Sequence, residues 1–142
     1  MKMITTLIFL MLWQLLAAPP AGMIDIVIPK AIKVYDPILN AFMEVESNFR
    51  TGVINNLGYT GILQIGQEMT DEANRINELS GNPLRFKFPE CALDSLQSVQ
   101  IWYIVQDWHN PTYNLRRAAY IWNPLASVKY YLKIKKSYGR KV

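Results

Sequence analysis

One carboxylate of this sequence lies at a position where an acid is not expected. Glu46 follows Phe42 by four residues and precedes Phe49 by three, so on a helix it shares their apolar stripe, whereas Glu44 points elsewhere. A carboxyl group that faces a core loses solvation, and this loss raises its pKa. An acid that stays protonated near neutral pH can donate a proton to a leaving group. The alternative is a glutamate at the edge of the stripe that is hydrogen-bonded or reaches solvent.

The loop that follows Glu46 has features of a binding loop. Gly58 and Gly61 permit a tight turn and a close backbone approach to whatever occupies the space above Glu46. Gln64 then puts an amide, which both donates and accepts hydrogen bonds, into an otherwise apolar run at 62–65. Because a polar side chain in such a run is costly without a partner, a ligand is one candidate partner.

These residues resemble a known family signature. Three short segments in fixed register carry the resemblance: Glu46-Ser47-x-Phe49, Gly58-x-x-Gly61 and Ile62-Leu63-Gln64-Ile65. They are similar to the Glu-Ser, then Gly-x-x-Gly-Leu-Met-Gln-Ile signature of the soluble lytic transglycosylase domain. That domain belongs to the lysozyme-like superfamily and also resembles goose-type lysozyme. The spacing agrees throughout, with 12 residues from Glu46 to Gly58, 15 to Gly61 and 18 to Gln64.

A later segment extends the resemblance, which runs from about Asp36 to Tyr138. The sequence Arg117-Ala118-Ala119-Tyr120-Ile121-Trp122-Asn123 is similar to the family's Ala-Ala-Tyr-Asn-Ala-Gly helix end, and it puts Trp122 in the place of the tyrosine that lines the sugar cleft. Three positions depart from the family pattern: Asn55 replaces a frequent serine, Leu63 replaces a methionine, and Pro124-Leu125 replaces a small, glycine-bearing step. The last departure affects the saccharide contacts on that side of the cleft.

The resemblance implies an enzyme that cleaves peptidoglycan glycan strands between N-acetylmuramic acid and N-acetylglucosamine. Glu46 would protonate the glycosidic oxygen and then act as a base toward the muramic 6-hydroxyl, which gives a 1,6-anhydro product without water. The substrate's acetamido group would remove the need for a second protein carboxylate. The resemblance also implies five substrate-binding residues: Ser47, Asn55, Gln64, Trp122 and Asn123.

Other functions stay open at this point. Glu68, Asp71 and Glu72 could serve a hydrolytic, lysozyme-like mechanism, although acids near a helix start also suit capping and compensation of the helix dipole. The chain could instead be a non-catalytic lysozyme-like module that binds glycan or a partner protein in the cell envelope. A third class is an interaction protein of a secretion or conjugation apparatus. His109 is predicted to lie at a helix end, where its charge suits the dipole.

The first 22 of the 142 residues have the pattern of a secretory signal peptide. Lys2 precedes an apolar run at 3–16, and small residues follow it. That run is short for a membrane span, so a short uncleaved anchor is the lesser alternative. We expect residues 23–142 to form one lysozyme-like domain, exported to the periplasm or the extracellular space as a monomer with no membrane span.

The composition limits the other classes of partner. Cys91 is the only cysteine, so it forms no internal disulfide and is expected to be a buried apolar filler or an unpaired thiol. With one histidine and one cysteine, the sequence predicts no metal site and no cofactor.

The net charge is +4, and residues 129–142 hold six basic residues and no acid. This excess favours an anionic polymer, a membrane surface or a solvated helix, and no nucleic-acid-binding motif accompanies it.

Helical periodicity dominates the chain and predicts a mainly α domain, an α+β lysozyme-like fold with at most a small β element. Asp36 is predicted to cap a first helix with Pro37 at its first position. The predicted helices span about 37–50, 68–79, 92–108, 113–122 and 123–137, the last with Asn123-Pro124 as its cap and first residue. Residues 84–90 are expected to be extended or irregular. Weak strand signals occur at 62–65 and 24–28.

Overall fold

The computed structural model describes residues 36–125 and 128–142, which are mainly helical. Six helices lie in these ranges: α1 (Pro37–Ser47), α2 (Gln67–Leu79), α3 (Glu90–Leu93), α4 (Ser95–His109), α5 (Leu115–Trp122) and α6 (Val128–Tyr138). The predicted mainly α class with at most a small β element is confirmed. The predicted signal peptide at 1–22 and the weak strand signal at 24–28 lie outside the described residues.

Helix α1 begins as its sequence predicts. Asp36 Oδ1 accepts hydrogen bonds from the backbone N–H groups of Ile38 at 2.8 Å and Leu39 at 3.2 Å, and Pro37 is the first helical residue. The helix ends three residues earlier than predicted, because Asn48 and Phe49 adopt left-handed backbone conformations with φ of 54° and 62°.

The early end of α1 corrects the predicted apolar stripe. Phe42 is fully buried, but Phe49 leaves the helix direction and is 42% exposed. The ammonium of Lys141 lies 5.2 Å from the centre of the Phe49 ring. Of the two phenylalanines, only Phe42 therefore shares the stripe with Glu46.

The helix predicted at 92–108 is two helices, α3 and α4. Asp94 lies between them in an extended conformation with φ −86° and ψ 113°. Its Oδ1 accepts hydrogen bonds from the N–H groups of Leu96 at 2.8 Å and Gln97 at 3.0 Å, so it caps α4. Of the segment predicted to be extended or irregular, 84–90, residues 84–87 are irregular and 88–89 form a turn, but Glu90 already begins α3.

One predicted helix start and one predicted strand are wrong, whereas the helix predicted at 123–137 is present as α6 (Val128–Tyr138). Asn123 and Pro124 do not start a helix: Asn123 ends α5, with its N–H donating to the carbonyl of Ala119 at 3.0 Å, and Pro124 lies in a turn. Residues 62–64 form a turn rather than a strand, and the flanking Thr60 and Ile65 pair in an isolated bridge. In both cases the backbone groups are satisfied locally by a cap or a turn.

The core lies where α1, α4, α5 and α6 meet. Phe42 packs edge-to-face against Trp102 and Trp122, with ring centroids 5.8 and 6.5 Å apart. Helix α1 packs most extensively on α6, and α2 packs on α4. Cys91 is fully buried with its Sγ 3.6 Å from Thr70 Oγ1, as expected for a filler in the core.

No helix within the two described ranges is both long enough and apolar enough to cross a membrane.

Candidate active site

An open cleft of about 550 Å³ runs between the loop after α1 and the ends of several helices. Glu46 of α1, Gln64 of the loop and Trp122 of α5 all contribute to its lining. Apolar side chains from α2, α4 and α5 also line it: Met69, Val105 and Ile121. The cleft combines a few polar groups with apolar walls, which is typical of a ligand site.

Glu46 is the second-last residue of α1, and its side chain is half-buried at the cleft. Burial raises the pKa of its carboxyl group to about 7, and a hydrogen bond donated by the Tyr130 hydroxyl to Glu46 Oε1 opposes that rise. The carboxyl group therefore exists in both its protonated and its ionised form near neutral pH. The same burial and the Glu46 charge raise the pKa of Tyr130, which stays a donor.

Ser47 lies beside Glu46 but does not line the cleft. Its side chain is buried, and its Oγ donates a hydrogen bond to the carbonyl of Ile62 at 2.8 Å. The carbonyl of Met43 is a second, longer acceptor at 3.3 Å. The hydroxyl thus attaches the end of α1 to the loop that carries Gln64. This geometry favours a positioning role for Ser47 over contact with a ligand.

Gln64 and Asn55 both line the cleft, and both shape the loop. Gln64 has a φ of 50°, and its Nε2 donates to the carbonyls of Val53 at 3.0 Å and Gly61 at 2.9 Å. Asn55 Oδ1 accepts from the N–H groups of Leu57 at 2.8 Å and Tyr59 at 3.1 Å. The partner that the sequence required for the Gln64 amide donor is therefore the backbone of its own loop.

The glycine at 61 is required by a contact inside the protein. Gly61 has a φ of +80°, and a Cβ at this position would lie 1.7 Å from the carbonyl oxygen of Ala92. Gly58 also has a positive φ, +84°, but a Cβ there would meet nothing within 4 Å. The close backbone approach at Gly61 is therefore to α3, and not to the space above Glu46 as the sequence suggested.

Trp122 lines the cleft at its edge while most of its ring belongs to the core. It is 8% exposed, and its indole Nε1 donates to the carbonyl of Leu63 at 3.1 Å. Asn123, Pro124 and Leu125 continue the wall beyond it, and Leu125 is 97% exposed. The departure from the family pattern at 124–125 therefore lies at the cleft itself.

Sequence reasoning considered Glu72 and His109 separately but missed that Glu72 of α2 pairs with His109 at the end of α4 in the cleft. His109 Nε2 lies 2.6 Å from Glu72 Oε1, and both residues line the cleft. Arg75 donates to both carboxylate oxygens of Glu72 at 2.7 Å. Its hydrogen bond, followed by that of His109, lowers the pKa of Glu72 to about 2. Near pH 7 Glu72 is therefore ionised, whereas the Glu46 carboxyl is present in both its protonated and its ionised form.

The other acids that the sequence grouped with Glu72 separate in space. Glu68 also lines the cleft, whereas Asp71 is exposed and accepts a hydrogen bond from Gln67 Nε2 at 2.8 Å. No group of three or more His, Cys, Asp or Glu side chains in the described part of the chain is arranged to hold a metal ion.

Comparison with known proteins gives no match, whether to a family model, a curated protein or a solved structure. The similarity to the transglycosylase signature therefore rests on the residues and their register.

Proposed function

We propose that this protein cleaves peptidoglycan glycan strands between N-acetylmuramic acid and N-acetylglucosamine, with Glu46 as the acid/base group. One observation carries the proposal: the Glu46 carboxyl is half-buried at a cleft and has a pKa of about 7. The agreement of Gly58, Gly61 and Gln64 with the transglycosylase register supplies the substrate class.

The proposed reaction proceeds without water. Glu46 in its acid form gives its proton to the glycosidic oxygen as the bond from that oxygen to the anomeric carbon breaks. The acetamido oxygen of the muramic residue stabilises the anomeric carbon by bonding to it. Ionised Glu46 then removes the proton of the 6-hydroxyl, whose oxygen displaces the acetamido oxygen. The product is a 1,6-anhydro sugar, and Glu46 regains its proton.

Two features of the cleft support these roles. The Tyr130 hydroxyl, which hydrogen-bonds to Glu46 Oε1, stabilises the carboxylate that forms after the first proton transfer. Apolar lining residues such as Ile65, Met69 and Val105 give the cleft a less polar wall beside the carboxyl group. We further propose that the protein acts as an exported monomer, in the periplasm or outside the cell.

Zymography on purified peptidoglycan tests the proposal. We expect the wild-type protein to clear the substrate and Glu46→Gln to lose at least about a hundredfold of the activity, because glutamine cannot donate the proton. Glu78→Gln, which changes an exposed acid outside the cleft lining, is the matched control and keeps full activity. A folded wild-type protein that clears nothing would reject an enzymatic function.

A second candidate is hydrolysis at the same cleft, and the Glu72–His109 pair favours it. Glu72 orients the imidazole, which can then take a proton from a water that attacks the anomeric carbon while Glu46 protonates the leaving oxygen. Mass analysis of the products separates the two reactions, because hydrolysis leaves reducing ends and the proposed reaction leaves anhydro ends. Under the proposed reaction, His109→Gln leaves the anhydro product unchanged.

A further inference from the structure

The outer face of α6 is basic and partly apolar. Lys129, Lys133 and Lys136 follow each other at spacings of four and three residues, so they share one face of the helix, and all three are exposed. Val128 and Leu132 lie beside this row and are 59% and 53% exposed. We call these five residues the outer α6 face. The opposite face, which carries the buried Ile134 and Ser137, packs against α1.

The charge of the outer α6 face is not neutralised by acids in the described ranges. The only ion pairs that reach this end of the chain join Arg140 and Lys141 to Glu44, within the part that the structure describes. No acidic residue occurs in the sequence from 128 to 142. Arg116 of α5 is a further exposed cation. It lies next to α6, because its guanidinium is 5.9 Å from the centre of the Tyr131 ring.

Charge and apolar exposure together select one class of partner. A row of lysines alone would suit any polyanion, but a polyanion in water gains nothing from Val128 and Leu132. A helix that presents basic side chains beside exposed aliphatic ones suits the headgroup region of a bilayer, where the aliphatic groups insert and the cations meet phosphate. We propose that the outer α6 face docks this protein on the surface of a bilayer rich in anionic phospholipid.

The docking needs no change of fold. The inner face of α6 keeps its contacts with α1, because the residues that would meet the bilayer are already exposed. The proposal is independent of the cleft and of the reaction proposed there, and it holds for a protein with or without glycosidase activity.

Sedimentation with lipid vesicles tests the docking. We expect the purified protein to bind vesicles of equal parts phosphatidylglycerol and phosphatidylcholine, and not to bind vesicles of phosphatidylcholine alone. Lys133→Gln/Lys136→Gln should weaken binding about twenty-fivefold, since each basic residue near an anionic surface contributes about a fivefold change in affinity. Arg85→Gln/Lys87→Gln removes the same net charge from the exposed segment before α3 and should leave binding within about twofold of wild type.

A further variant separates a bilayer from other polyanions. Leu132→Ser should weaken vesicle binding severalfold without changing retention on a heparin column, because only the bilayer receives the aliphatic side chain. Circular dichroism and thermal melting confirm that each variant is folded. Equal binding to both vesicle types, equal losses in the two double variants, or unchanged vesicle binding by Leu132→Ser would each overturn the proposal.

Discussion

The partly buried Glu46 carboxyl makes the stability of the protein depend on pH. Its folded-state pKa of about 7 lies above the ordinary value of 4.5. Below pH 4.5 the carboxyl is protonated in the folded and unfolded states, so Glu46 itself costs no stability there. As the pH rises through 7, the unfolded state releases its proton more readily than the folded state does, and stability is lost. The difference corresponds to a cost on the order of 3 kcal/mol at high pH.

A pH-dependent gain in stability should therefore follow from Glu46→Gln. We expect the variant to unfold like the wild type at about pH 4 and to be more stable by about 1–3 kcal/mol at about pH 9, because glutamine cannot ionise. Urea denaturation at the two pH values measures the effect. Glu78→Gln should show no such pH dependence, and an equal effect of Glu46→Gln at both pH values would mean that burial does not control this carboxyl.

Removal of the Tyr130 hydroxyl should raise the pKa of Glu46 further. The hydrogen bond from Tyr130 favours the carboxylate and so lowers the Glu46 pKa, and phenylalanine lacks the donor. In Tyr130→Phe we expect the carboxyl carbon of Glu46 to titrate at a higher pH by NMR, and any glycan cleavage to persist to higher pH. Tyr131→Phe, at the neighbouring position, should leave the titration unchanged. A downward shift in Tyr130→Phe would contradict this account.

The residues of the site differ in how far sequence could predict them. The burial of Glu46 followed from its spacing to Phe42, which is local information. Tyr130 could not be predicted, because it is 84 residues away and becomes a neighbour only when α6 packs on α1. His109 reaches Glu72 in the same way, through the packing of α2 on α4.

Backbone hydrogen bonds fix the conformation of the loop between α1 and α2, which lines the cleft. Thr60 and Ile65 exchange two backbone hydrogen bonds at 3.0 and 2.9 Å, and the N–H of Gly61 donates to the carbonyl of Val53 at 2.8 Å. These bonds fix the turn that presents Gln64 to the cleft. The contact of Gly61 with the Ala92 carbonyl then places this turn against α3.

Alanine substitutions should distinguish the two positive-φ glycines of this loop. Gly61→Ala introduces both backbone strain and a Cβ that overlaps the Ala92 carbonyl, so we expect a loss of about 2–4 kcal/mol of stability. Gly58→Ala introduces the strain alone, which should cost about 1 kcal/mol. Chemical denaturation measures both. Equal losses would mean that the contact between the loop and α3 does not limit this position.

The helix limits that sequence analysis missed have identifiable local causes. Asp94 followed by Gln97 three residues later is a capping signal inside a continuous helical pattern, and the structure uses it to start α4. Asn123-Pro124 resembles the same kind of signal, but Asn123 instead closes α5. Periodicity alone does not decide between two such uses of an asparagine.

At the scale of the whole molecule, side-chain contacts join α1 to the C-terminal end of the chain. Glu44 of α1 accepts a hydrogen bond from Ser137 Oγ at 2.9 Å and forms ion pairs with Arg140 and Lys141. The Ser137 hydrogen bond, followed by that of Lys141, lowers the pKa of Glu44.

The mainly α class was predictable because helical periodicity is local. The pairing of α1 with α6 was not, because it joins positions about 90 residues apart and leaves no local pattern.

Loss of the Glu44 charge should weaken this junction at neutral pH only. Because the folded-state pKa of Glu44 is lowered, its contribution is present above pH 4.5 and is lost as the pH falls below that value. We expect Glu44→Gln to reduce stability by about 0.5–1 kcal/mol at neutral pH, since the ion pairs are partly exposed. Thermal melting at neutral and acidic pH, with Glu78→Gln as the control, measures the effect. A loss that persisted in acid would assign it to packing instead.

The buried thiol of Cys91 can report local opening of the structure through its rate of alkylation. Its thiol is the only one in the chain, it is fully buried beside Thr70, and burial raises its pKa, so the native state protects it from alkylation. Each alkylation event therefore records an opening of the structure that exposes the Cys91 thiol. The labelling rate, compared with that of the unfolded chain, gives the free energy of that opening at a single defined position, without any engineered label.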